Sequence, residues 1–220
     1  MITFWRHWRI TFLLLLIVFI PVALTISRLI WLAGGEQSLA TEPGFAHMLE
    51  IPAPIILHIV FGSIFCLIAC FQFNPHFRGK HPRVHRVAGR IGATAGLISA
   101  ITGSMMTIIY PIGEMSTVPM AAVRFVFGIL MVVTIILAVS HARKREFVAH
   151  RAWMIRAFAI GVAGSTQGIL IGLCFLILGG IDKYIVTSMI CLGFGINWAI
   201  AEIRIRTTSS RRNQRNRSAA

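Results

Sequence analysis

Carboxylates are the scarcest chemistry in this chain. Seven acidic residues stand among 220, and Asp182 is the one aspartate. No two of them share a helical face, and there is no Ser-His-Asp set. A phosphate-binding loop and a dinucleotide fingerprint are also missing. These gaps point away from hydrolysis of the kind soluble enzymes perform, and they leave any enzymatic activity open. Cysteine is sparse as well. Cys66, Cys70, Cys174 and Cys191 all fall inside apolar runs, which excludes disulfide-stapled outer loops. Cys66 and Cys70 lie one helical turn apart and read as small packing residues.

Charge as a whole is short. Charged residues make up 13% of the chain against 56% hydrophobic, where a soluble domain carries about 25% charged. Such a chain cannot build a water-facing shell, so the solvent it fits is lipid. A span needs about 20 apolar residues. Six stretches qualify: 10–33, 52–74, 86–110, 119–140, 153–178 and 184–203. The fold class is therefore an all-α, six-span membrane bundle. Residues 1–206 form one transmembrane domain, and 207–220 form a polar, basic tail whose composition predicts disorder. Arg6 and Arg9 precede the first span as in a secretory signal, but its apolar run exceeds a signal core and reads as an uncleaved anchor.

The net charge is +14, and its placement is more informative than its size. Arg6 and Arg9, then Arg78, Lys80, Arg83, Arg86 and Arg90 fall on one side. Arg143, Lys144, Arg145, Arg151 and Arg156 join them, with Arg204, Arg206, Arg211, Arg212, Arg215 and Arg217. Eighteen of the twenty-one basic residues thus lie at alternate ends of the spans. The positive-inside rule makes that side cytoplasmic and puts both termini inside. Glu36, Glu42, Glu50, Glu114 and Asp182 fall at the opposite ends. Topology and anionic lipid headgroups account for the basic charge, so no nucleic-acid partner is expected. The expected surroundings are the bilayer, its anionic headgroups and a bacterial inner membrane.

Two stretches share a plan: "VHRVAGRIGATAGLISAITG" (84–103) and "AHRAWMIRAFAIGVAGSTQG" (149–168). Each opens on a His-Arg pair and continues with small residues at helical spacing. From His85 the shared face reaches Gly89, Gly92, Gly96, Ser99 and Gly103. From His150 it reaches Met154, Ala157, Gly161, Gly164 and Gly168. One reading is close helix packing, which small residues permit in lipid. The other is a flat ligand lying against both stripes. A b-type haem suits that reading, with His85 and His150 on the iron and Arg86, Arg90, Arg151 and Arg156 on the propionates.

The blocks "HIVFGSIFCLIACFQF", "HRVAGRIG" and "HRAWMIRAFA" resemble an uncharacterised bacterial multi-pass membrane family, domain of unknown function 2306. The positions that carry the resemblance are His58, Gln72, Phe73, His85, Arg86, Gly89, Arg90, His150, Arg151, Trp153, Met154 and Arg156. They span about 52–170. Gln167 departs from the family, whose members often have arginine there. The family implies no activity. A looser likeness is to six-helix b-type cytochromes with two haems, ligated from helices two to five. That likeness implies His85 and His150 as the inner pair and His58 as an outer ligand. The partner of His58 on helix four is missing, since Arg124 stands in that half; Met115 or Met120 are the nearest substitutes. One inner haem is the most the residues carry.

Other polar residues have plain roles to weigh. His58 inside a span needs a partner. Gln167 and Asn197 suit interhelical hydrogen bonds. Arg28 and Arg124 break the charge rule, and either ion pairs or an anion site would explain them. His76, His81, His85 and His141 gather at the basic end, but Pro82 interrupts the one-turn spacing of His81 and His85 and no carboxylate completes a metal set. Three functions remain: a haem-bearing electron-transfer protein, a cofactor-free transporter or anionic-lipid-handling protein, and an accessory subunit that docks a protein partner.

Overall fold

The structure is a computed structural model. It describes the backbone of residues 2–34 and 46–217 and the side chains of 8–34, 46–208 and 210. The expectations for Arg6, Glu36, Glu42 and the tail arginines from Arg211 on lie outside the described side chains. Among the described residues there are helices and no strands.

Six helical segments are long and apolar enough to cross a membrane: Trp8–Ala33, Pro52–Gln72, Pro82–Ile109, Val118–Arg143, Phe147–Leu178 and Lys183–Thr208. They are called spans one to six below. Several extend beyond the apolar runs by a turn or two of basic residues. Hydropathy stops at a charge, whereas arginine and lysine are good helix formers and let the backbone bonds continue. For the same reason span six continues as one helix to Arg217. The stretch from 207 contains neither proline nor glycine to stop the helix.

Local chemistry sets the other ends. Proline stands in the first turn of spans two, three and four, where a missing N–H costs nothing. Asn74 caps the short helix Pro75–Lys80 by accepting from the amides of His76 and Phe77 at 2.9 and 3.2 Å. Its own amide donates to Thr11 of span one at 3.0 Å, which pins this helix to the bundle. Gly179, at φ +70, closes span five in the left-handed conformation.

Span five is not one straight rod. It consists of Phe147–Gly161 and Ala163–Leu178, interrupted at Val162. The first half packs on spans four and six, and the second on spans six and one. Asn197 of span six bridges the break. Its amide donates to the Ala159 carbonyl at 3.1 Å, and its oxygen accepts from Thr166 at 2.8 Å. Ser165 donates to the Ile17 carbonyl of span one at 2.8 Å. A carbonyl freed by a helix break must find a partner inside the bundle, and here a side chain supplies it.

Spans two and three make the most intimate pair, and span four packs on three. The core gathers Phe65, Cys66, Cys70, Met131, Ile135 and Ala157. Outward faces remain apolar, with Leu16, Leu176 and Ile177 at least 70% exposed. Water would not tolerate that surface, and lipid solvates it.

Candidate functional site

The basic ends of the spans enclose one cavity of about 1550 Å³, above the roughly 300–1,000 Å³ of ordinary small-ligand pockets. Span two contributes Phe65, Ile68, Ala69, Gln72 and Phe73, which recur at helical spacing and form an apolar wall. Span three contributes His85, Arg86, Gly89, Arg90 and Gly92. Val139 and Arg143 come from span four, and His150, Arg151 and Met154 from span five. Arg78 reaches in from the short helix pinned by Asn74.

The two histidines differ in their surroundings. His150 donates from Nδ1 to the Ala138 carbonyl of span four at 2.9 Å. A carbonyl only accepts, so Nδ1 carries a proton here. His85 has its Nδ1 buried without a partner. The Gln72 amide nitrogen is buried without a partner in the same wall. Its oxygen lies against Gly89, 3.5 Å from where a methyl group would stand. Buried polar groups are normally paired. Two orphans in one cavity wall mark a place where the chain leaves its polar groups for something else to answer.

The small-residue stripes do something other than cradle a flat ligand along their length. A Cβ at Gly92 would meet Ile68 at 3.0 Å, and one at Gly96 would meet Phe65 and Ile135 at 2.8 Å. At Gly103 it would strike the His58 ring at 2.7 Å, and at Gly161 it would strike Phe65 at 2.8 Å. Neighbouring helices already fill these grooves, so packing is the stripes' role. The stripe counted from His150 also loses its register at Val162. Gly164 and Gly172 have no neighbour within 4 Å, and Gly168 faces Ile20 of span one. Of the two stripes, only Gly89, Gly92 and Met154 line the cavity.

The other candidate residues separate. Arg156 is held away from the cavity by a bidentate pair with Glu202 of span six, at 2.6 and 3.0 Å. Its guanidinium lies 4.5 Å from the centre of the Trp153 ring. Arg156 thereby joins spans five and six, and neither it nor Trp153 lines the cavity. Gln167 packs on Gly193 and donates to the Ile190 carbonyl at 3.4 Å. His58 lies toward the other end, with Nδ1 donating to the Ser99 carbonyl at 2.8 Å while the Ser99 hydroxyl donates to the His58 carbonyl at 2.9 Å. Arg124 is exposed on span four. Arg28 lies over the Trp31 ring at 5.1 Å. His141 pairs with Glu146, and among the described residues no three His, Cys, Asp or Glu groups converge on a metal position.

The sequence pointed to Gln72 and Phe73 but not to Arg78 or Arg143 as site residues, nor to the rest of the span-two wall. Phe65, Ile68, Ala69 and Gln72 follow the i, i+3, i+4, i+7 pattern that could have revealed the wall. No spacing rule brings Arg78 to the cavity, because Pro75 and Pro82 isolate it on a separate short helix.

Six lipid-facing helices around a cavity with a basic mouth define an integral, multi-pass membrane protein. The family described as "Predicted membrane protein (DUF2306)" matches residues 55–205, and the chain belongs to that family. The match runs beyond the stretch that carries the motifs, into span six. No curated protein and no solved structure matches the chain.

Proposed function

We propose that this protein is a membrane electron-transfer protein that holds one b-type haem in the basic-end cavity. His85 and His150 would hold its iron, and Arg86, Arg90 and Arg151 would offer counter-charge to its propionates. The observation that carries this reading is that two imidazoles from different spans line one cavity, His150 held through Nδ1 by the Ala138 carbonyl and His85 with a buried Nδ1 that no group of the chain answers. A neutral imidazole oriented through its other nitrogen is the usual form of a histidine ligand. The apolar wall of Phe65, Ile68 and Phe73 suits a macrocycle's faces. Bound haem would supply one-electron exchange; the chain supplies its ligands, its counter-charges and exclusion of water. Arg156 drops out of the propionate set because Glu202 already holds it. In this reading the basic end faces the cytoplasm of a bacterial inner membrane.

The test is the absorption spectrum of detergent-purified protein expressed with ample haem, oxidised and then dithionite-reduced. A Soret band with a low-spin reduced spectrum is expected. His85→Ala and His150→Ala should each abolish the low-spin signature. No Soret band in folded protein overturns the haem reading. The second reading, a cofactor-free anionic-lipid-handling protein or transporter, draws on the five arginines of the cavity lining. Under that reading anionic lipid stabilises the haem-free protein, and Arg90→Ala removes the effect.

A further inference from the structure

The cavity lining holds more positive charge than any haem would use. Arg78, Arg86, Arg90, Arg143 and Arg151 all line it, and no carboxylate does. Both acids described at this end are already engaged, Glu146 with His141 and Glu202 with Arg156. The other described acids, Glu50, Glu114 and Asp182, lie at the opposite ends of the spans. Arg78 is near enough to Arg151 and to His85 for its charge to act on both. Placing basic residues on one side of a membrane does not require this convergence. Arg83 and Lys80 satisfy the same rule from outside the cavity. Like charges brought together at a low-dielectric boundary repel, and a multiply charged anion offsets that cost.

We propose that the mouth of the cavity is a site for a phosphate-bearing group, gripped by Arg78 and Arg143, the two lining arginines that the haem reading leaves unused. Guanidinium forks match phosphate oxygens in geometry and keep their charge at every physiological pH. Arg78 and Arg143 belong to no other described ion pair. They stand on separate elements, the Asn74-capped helix and the last residue of span four. The phosphate could belong to a lipid headgroup at the membrane surface or to a free anion, and the chemistry of the grip is the same. The site does not depend on haem.

The experiment uses the full-length protein in detergent, with its absorption spectrum recorded on the same samples. Binding of inorganic phosphate and of phosphatidylglycerol is followed by thermal midpoint and native mass spectrometry, with zwitterionic phosphatidylcholine, whose phosphate is neutralised by its own ammonium, as the comparison of zero net charge. Arg78→Gln, Arg143→Gln and the double variant are set against Arg83→Gln, which removes the same charge at the same end but outside the cavity. Phosphatidylglycerol or phosphate should raise the midpoint of wild type and of Arg83→Gln. Each mouth substitution should weaken binding about tenfold, and the double variant more. Stabilisation by inorganic phosphate assigns a free anion, and stabilisation by phosphatidylglycerol alone assigns a headgroup. No stabilisation by either, or an effect that survives unchanged in the double variant, overturns the site. A missing Soret band with intact phosphate binding overturns the haem reading alone, and the reverse pattern overturns this one alone.

Discussion

Gly96 and Gly172 occupy the same kind of sequence position and have opposite structural roles. At Gly96 a methyl group would press on Phe65 and Ile135, both fully buried or nearly so. Gly96→Ala should therefore cost about 1–3 kcal/mol through overpacking. Gly172→Ala meets open space and should leave the thermal midpoint unchanged or raise it, since alanine is the better helix former. The same split separates Arg156 from Arg151. Arg156 has its acid, so Arg156→Lys, which loses the bidentate geometry, should lower stability by about 1 kcal/mol without touching the cavity. Near the opposite end, His47 packs on Tyr110 with ring centres 4.8 Å apart. Burial lowers the pKa of His47, and Glu50 partly opposes this. The folded state favours neutral His47, so its contribution is present above the ordinary pKa of 6.5 and is lost as pH falls below it. His47→Phe should flatten that part of the stability–pH curve. None of these partners is visible in the sequence. Residue type and spacing mark a stripe of glycines, and only the neighbouring helix says whether anything leans on it.

Element boundaries were more legible than element shapes. Proline in the first turn, the Asn74 and Thr117 caps and the left-handed Gly179 follow from local chemistry, and each marks a real end. The break at Val162 had no such mark: no proline stands there, and the apolar run continues through it. Its support comes from span six, through Asn197. Asn197→Leu should strand the Ala159 carbonyl and the Thr166 hydroxyl, at a cost of about 1–3 kcal/mol seen in thermal melts. Thr166→Val should cost less, because Asn197 would still reach Ala159. In the loop joining spans four and five, Arg145 adopts φ +61, a left-handed conformation that suits glycine. Arg145→Gly should raise stability by about 1 kcal/mol, read from the same melts.

At the scale of the molecule, the alternation of basic and acidic ends predicts that both termini lie on one side of the membrane. Reporter fusions at each terminus should give the same orientation, and a fusion in the loop between spans five and six the opposite one. The cavity is the feature that no stretch of sequence contained. His85 and His150 were legible as candidates because two His-Arg blocks repeat. Their convergence was not, because it depends on how spans three and five stand around spans two and four. Arg78, Arg143 and the span-two wall arrived only with that arrangement, and Arg156 left the site for the same reason.

The order of residues alone sets the solvent and the passage through it. Runs of apolar residues about as long as a bilayer is thick, ended by charge, admit few alternatives when every backbone polar group must be satisfied within the chain. The tertiary structure alone decided which small residues are filled, which arginines have acids and which are left facing a cavity. Those outcomes turn on the rotation and spacing of neighbouring helices, and helices of near-uniform greasiness carry almost no local signal for either.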